Sequence, residues 1–386
     1  MKMPNIRVAV VGLGAMGRGI IQVVQRSVDM EIVAVSDINQ QALEKAKSPL
    51  PVDVLATTNP VEVIDTKPDV LVEASPSILQ AALLVRQALS HKINVVLMNG
   101  EVDQVFGRLL YKKAQANGVI LTSDAGDQHG VLLRKIQEIQ SMGFEIIMAG
   151  NDKGFLNKYA NPTTLVEEAA KRQLSATQCA AYTDGTKLSI EMALVANATG
   201  LKLLQTGMVG PRTEYVQDAL EAFDLEKCRK LGGVVDYVLG AKPGGSVFVI
   251  AYSDDPQDQF YMNYYKMGRG PYYLFLRPYH LCHYETPYAI RKIIQNNEPI
   301  LVQKNRVLEV GSRAKTDLKK NTVLDGIGGF NLYGVLEKPG SLPIGLSKGT
   351  TLKKDKKRDE PIEWDDVKFP KNDQRLILWE EQTKNE

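Results

Sequence analysis

The stretch Ile6-Arg7-Val8-Ala9-Val10-Val11-Gly12-Leu13-Gly14-Ala15-Met16-Gly17 decides how the rest of the chain is read. Residues 6–11 form an apolar run without polar alternation, the pattern of a strand covered on both faces. A glycine turn follows, and an amphipathic stretch then continues to about Arg26. A Gly-x-Gly-x-x-Gly spacing alone marks only a tight turn. Placed between a strand and a helix it has a chemical reading: Gly12 permits the turn, Gly14 lets the backbone approach a diphosphate, and Gly17 lets the helix pack on the strand. Asp37 falls twenty residues after Gly17, at the end of a second strand over 31–36. A carboxylate there accepts hydrogen bonds from ribose hydroxyls and repels a 2′-phosphate. Ile38-Asn39 offers no arginine to clamp such a phosphate, although Arg18 lies beside the turn. The expected cofactor is NAD, with NADP as the alternative, and the expected contacts include Ala15 and Met16 besides the three glycines and Asp37.

Outward from this turn the alternation continues with a strand over 70–73, a helix over 78–90, a strand over 94–98, a helix over 107–117 and a strand over 119–122. Strands alternating with helices predict an α/β fold with a Rossmann-type, doubly wound parallel sheet over 1–144, completed by a return helix at about 285–298. Residues 145–284, with a strand over 145–148, a long helix over 186–199 and a tyrosine-rich segment over 261–273, read as an inserted mixed α/β catalytic and oligomerisation domain. Residues 299–386, with turns at Asp325-Gly326 and Gly328-Gly329, read as a small β-rich C-terminal domain. Their lysine-rich run over 353–360 is diluted by Asp355, Asp359 and Glu360, and reads as a solvated loop.

The 386 residues are 44% hydrophobic and 24% charged, which excludes disordered and fibrous classes and allows two or three domains. Lys plus Arg (47) nearly balance Asp plus Glu (45), so no basic field exists to gather nucleic acid. Cys179, Cys228 and Cys282 form neither a disulfide framework nor a metal knuckle, as expected of a reducing cytoplasm. The apolar run over 8–11 is too short for a membrane span, so no membrane partner is expected.

Three polar clusters could carry chemistry. In Asp184-Gly185-Thr186-Lys187-Leu188-Ser189-Ile190-Glu191, a helix from about Thr186 puts Lys187 and Glu191 at i and i+4, with Asp184 as cap. Such a lysine can hold a carbonyl oxygen, and the carboxylate can tune it, while an ordinary ion pair with a cap is the plain alternative. In Arg277-Pro278-Tyr279-His280-Leu281-Cys282-His283, two histidines lie three apart, but no third ligand is evident, so no metal site is assigned. Arg277, His280 and the upstream Lys266 and Arg269 instead suit an anionic substrate. Asn99-Gly100-Glu101-Val102-Asp103 and the loop over 124–130 follow strands at the ends where parallel sheets bind ligands, so Asn99 and Glu101 are assigned to the cofactor.

The segments GLGAMGRG, NGEVD, AGDQHG, DGTKLSIEMALVANATGL and LRPYHLCHYETP resemble homoserine-dehydrogenase-like oxidoreductases carrying a C-terminal SAF domain. Within that group the chain is most similar to the 1-deoxy-D-xylulose 5-phosphate reductoisomerase-like (DRL) enzymes, over almost its whole length. The resemblance implies hydride transfer between a nicotinamide and a small polyhydroxylated, phosphorylated carbonyl or alcohol compound in a cytoplasmic homo-oligomer, a dimer or tetramer. Catalytic roles would fall on Asp184, Lys187 and Glu191. Alternatives are the reductoisomerase reaction itself, with a divalent metal, homoserine dehydrogenase, and a non-catalytic nucleotide-sensing or carbohydrate-binding protein. Asn99-Gly100 stands where homoserine dehydrogenases have Asn-Lys, and Lys187 precedes Glu191 where they place the acid first. Both departures speak against homoserine.

Overall fold

Residues 5–47, 50–172 and 174–384 are described by a computed structural model, in which the chain groups into two units. One comprises the residues up to 130, 281–304 and those from 371 on; the other comprises 131–280 and 305–370.

The first unit contains β1 (Ile6–Val11), α1 (Ala15–Gln25), β2 (Met30–Ser36), α2 (Gln40–Lys47), β3 (Leu55–Thr57), α3 (Glu62–Asp65), β4 (Val70–Glu73), α4 (Ile78–Ser90), β5 (Asn94–Leu97), α5 (Gly100–Asn117) and β6 (Leu121–Ser123). Its strands form a parallel sheet in the order β3-β2-β1-β4-β5-β6. The apolar runs are explained by this placement: Val8, Val10, Leu71, Val72, Val95 and Val96 are completely buried, as central strands covered on both faces require. Helix α1 turns Gly17, Ile20, Ile21, Val23 and Val24 inward, and α4 is capped by Ser77, whose hydroxyl accepts from Gln80 N.

Helix α5 begins at Gly100, seven residues before the expected start, because Asn99 caps it by accepting from Val102 N (3.2 Å). The polar segment over 99–103 is therefore a helix cap and first turn, not a loop.

Helix α6 (Gln128–Ser141) leads the chain into the second unit, where β7 (Glu145–Lys153) runs five residues past its expected end. Then come α7 (Val166–Arg172), α8 (Ala176–Thr183), α9 (Thr186–Thr199), α10 (Ala219–Ala222), α11 (Leu225–Lys230), β8 (Val234–Leu239), β9 (Val247–Tyr252), α12 (Pro256–Tyr264) and β10 (Tyr272–Arg277). The mixed sheet has the order β10-β9-β7-β8, with β7 and β8 parallel and the other pairs antiparallel. Phe248, Ile250, Val234, Val238 and Phe223 fill its core.

After α13 (Thr286–Gln295), part of the first unit, the chain forms β11 (Glu309–Ala314), β12 (Leu332–Glu337), α14 (Ile344–Ser347), β13 (Thr351–Leu352), β14 (Val367–Lys368) and α15 (Gln374–Thr383). The segment over 299–386, expected as a separate β-rich domain, is divided between the two units. Residues 305–370 join the second because the β11–β12 hairpin packs on α9. Gly334 N donates to Thr186 Oγ1 (2.8 Å), and a side chain at Gly334 would stand 2.9 Å from the Thr186 methyl. Helix α15 joins the first unit: Gln382 accepts from Leu109 N and donates to Val105 O (both 2.9 Å), while Arg86 and Glu381 form a two-bond ion pair.

Candidate functional site

In the first unit the three glycines of the turn have separate reasons to be glycine. Gly12 has φ +89°, and a Cβ there would lie 2.4–2.7 Å from the backbone of Ala74 and Ser75. A Cβ at Gly17 would lie 1.8 Å from the Gly12 carbonyl oxygen. Gly14 has an ordinary φ of −63°, caps α1 without a side chain, and has nothing within 4 Å of where a Cβ would stand. The fold forbids larger residues at Gly12 and Gly17 and allows one at Gly14. Ala15 and Met16 open the helix, where the first N–H groups have no partner within it.

Asp37 reaches back to this turn, Oδ2 accepting from Leu13 N (2.7 Å) and Oδ1 from Asn39 N (2.8 Å). Arg18 donates to Leu13 O (2.8 Å). Asn99, assigned to the cofactor from the sequence, is buried and joins two strand ends: besides capping α5 it donates from Nδ2 to Ser75 O. Glu101 lies half-buried in the first turn of α5. Two carboxylic acids sit nearby at strand ends, Asp124 heading the loop over 124–130 already singled out in the sequence and Glu73 missed there. Burial pushes Glu73, at the end of β4, up to about 7, and Asp124, just past β6, also up to about 7. Strand-terminal acids in otherwise apolar runs were the available signal.

The second unit gathers a polar group at the carboxyl end of β7. Glu191 on α9 is buried, and its Oε2 accepts from Asn151 Nδ2 (2.8 Å) and Lys153 Nζ (3.0 Å). Neither Asn151 nor Lys153 was assigned from sequence, although the polar run Asn151-Asp152-Lys153 after an apolar strand could have flagged them. Asp152 is buried beside them, accepting from Gly244 N (2.8 Å) and Ser246 Oγ (3.1 Å), with its pKa pushed up by burial. Lys187 is half-buried, its ammonium 5.9 Å from the centre of the Tyr182 ring.

Asp184 is not the N-cap of α9; Gly185, at φ +86°, holds that position. The Asp184 carboxylate accepts from Thr186 N (2.9 Å) and from Lys315 Nζ (2.9 Å), and Lys315 also donates to Ala160 O and Gly329 O. Lysine and carboxylate are both completely enclosed.

The sheet register decides which of the assigned cations belong near this cluster. Arg277 pairs with Val247, which pairs with Asn151, so Arg277 ends β10 at the same sheet edge as Asn151. Its guanidinium lies 4.7 Å from the centre of the Tyr279 ring. His280 Nδ1 bonds to Gly245 O (2.8 Å), in the loop that also binds Asp152. Lys266 and Arg269 are exposed and precede the other end of β10, with roughly 17 Å of strand between that end and Arg277. The structure brings Arg277 and His280 to one edge and does not bring Lys266 and Arg269 there.

Residues 12–123 match the family described as homoserine dehydrogenase, NAD binding domain, and residues 126–286 match oxidoreductase DRL, catalytic domain. Homoserine dehydrogenase from Synechocystis sp. is 30% identical over 146 residues, 36% of this chain and 33% of that protein. The Bacillus subtilis homoserine dehydrogenase is 31% identical over 145 residues, 35% and 33% respectively. The chain thus spans about a third of the length of these relatives. Among solved structures, a homoserine dehydrogenase from Thiobacillus denitrificans is similar with TM-score 0.47 and 16% identity, covering 80% of this chain and 83% of that one. A probable dehydrogenase from Thermotoga maritima has TM-score 0.47 and 15% identity, covering 76% and 90%. Two matches in series, a homoserine dehydrogenase-type NAD-binding domain and then a DRL-type oxidoreductase catalytic domain, thus account for residues 12–123 and 126–286 of the chain.

Proposed function

We propose that the chain catalyses hydride transfer between NAD and a small polyhydroxylated, phosphorylated compound, at a carbonyl or alcohol carbon. One observation carries the cofactor half of this reading. Gly14 is a glycine the fold itself does not need, standing in open space at an uncapped helix N-terminus. Close approach of a diphosphate to the backbone explains it. Asp37, already tied to the turn, would accept from the ribose hydroxyls and disfavour a 2′-phosphate.

When bound, the nicotinamide supplies the hydride or accepts it. In the second unit, the ammonium groups of Lys187 and Lys153 would stabilise the negative charge that develops on the substrate oxygen, with Glu191 fixing Lys153 in place. Arg277 would bind the phosphate in a two-bond clamp.

The test is a Gly14→Ala variant titrated with NADH. A methyl group there has room in the free protein, so thermal stability should stay within about 1 kcal/mol of the parent while NADH affinity falls by about tenfold or more. The parent should bind NADH more tightly than NADPH, and Asp37→Ala should narrow the difference. Unchanged NADH affinity in Gly14→Ala would remove the basis of the assignment.

A further inference from the structure

Glu73 is the last residue of β4 and stands opposite Val11, the residue before the glycine turn. Ala74 N donates to Val11 O (2.8 Å), and Gly12 rests so closely on the peptide joining Ala74 and Ser75 that no Cβ fits between them. Glu73 braces that peptide from below, Oε1 accepting from Ser75 N (2.9 Å). Its second oxygen, Oε2, is buried without a hydrogen-bond partner, and the whole residue is inaccessible to solvent. A carboxylate left so is costly; a carboxylic acid is much less so.

The groups around it do not supply a counter-charge. From α5 come the Asn99 amide and the Glu101 carboxylate, the second of like sign. The neighbouring strands place the apolar Val11 and Leu97 opposite it, and the charged side chain that bonds to the turn beyond them, Asp37 past β2, is another acid. The guanidinium of Arg18 is engaged with Leu13 O.

We propose that Glu73 is a positioning residue beneath the glycine turn that takes up a proton when the dinucleotide binds, linking cofactor affinity to pH. The proposal rests on the reading of this turn as the diphosphate site. A diphosphate docked over Gly12 and Gly14 would face Glu73 across the Gly12 and Ala74–Ser75 backbone, and a charged carboxylate buried there would repel it with weak screening. The proton comes from solvent, and the neutral acid keeps its bond to Ser75 N while the repulsion disappears. With the free carboxyl titrating at about 7, the linkage falls in the neutral range. The sign follows: affinity is highest below that range and falls as pH rises through it.

The experiment is NADH binding by fluorescence titration between about pH 6 and about pH 8.5, with calorimetry at about pH 7 in two buffers of different ionisation enthalpy. Unaltered protein should weaken by about five- to tenfold over that range and take up a fraction of a proton on binding. Glu73→Gln, which keeps an acceptor for Ser75 N, should bind at least as tightly as the parent at the high end and show no slope. Asp124→Asn removes the other strand-end acid that titrates at about 7, two strands away, and should keep the slope. Binding without pH dependence or proton uptake in the unaltered protein overturns the proposal alone. So does a slope that survives in Glu73→Gln or vanishes in Asp124→Asn. Absence of NADH binding at every pH overturns both this proposal and the cofactor reading. If Glu73→Gln does not fold, the proton count in the unaltered protein decides.

Discussion

Asp184 and Lys187 are three residues apart in sequence yet have opposite surroundings. Asp184 is sealed against Lys315, whose three donor directions are all used, whereas Lys187 is half-buried one helical turn before Glu191 on α9. The pair therefore lets a stability role at Asp184 be separated from the proposed catalytic role of Lys187. Lys315→Met leaves a buried carboxylate without its counter-charge and should cost about 3–5 kcal/mol, read by chemical denaturation. Lys187→Met keeps the aliphatic stem and should lower kcat by about 10²-fold while changing stability by about 1 kcal/mol or less. If Lys187→Met turned over normally, Lys153 would have to carry the charge stabilisation by itself.

Among the elements, α5 shows most clearly how a cap competes with a ligand role. Asn99 accepts from Val102 N and donates to Ser75 O, so both ends of its amide are occupied within the protein. Asn99→Ala should therefore destabilise the protein by about 1–2 kcal/mol in denaturant, with NADH affinity altered by less than about threefold. A larger loss of affinity than of stability would instead support Asn99 as a cofactor contact. Sequence periodicity located β1, β4, α4 and α9 to the residue, because each is an uninterrupted apolar or amphipathic segment with a recognisable end. It missed the first turns of α5 because Gly100, Glu101 and Asp103 look like a loop. Their burial, with Asp103 bonded to Ser123 and Gln303, is a tertiary fact. It likewise ended β7 early: Asn151, Asp152 and Lys153 are poor strand formers, held there by Glu191, Ser246 and the Gly244 peptide. The glycine turn was legible because Gly12 and Gly17 answer to local geometry, and the Lys153–Glu191 contact was not, because its partners lie 38 residues apart.

At the scale of the molecule, the first unit is assembled from three stretches of chain, and the last of them is structural. Leu378 and Trp379 of α15 are buried, and Gln382 completes hydrogen bonds of two α5 backbone groups. A chain ended before residue 374 loses that burial, worth about 3–6 kcal/mol for the two side chains, and should show a lower melting temperature with NADH protecting it less. A melt identical to that of the longer chain would mean α15 contributes nothing to the unit. All six strands of the parallel sheet precede the second unit in the chain, whereas α15, which bonds to α5 through Gln382, follows it. The first unit therefore gains its full set of contacts only after all of the second unit has been synthesised, so its folding cannot be completed in the order in which its strands are made.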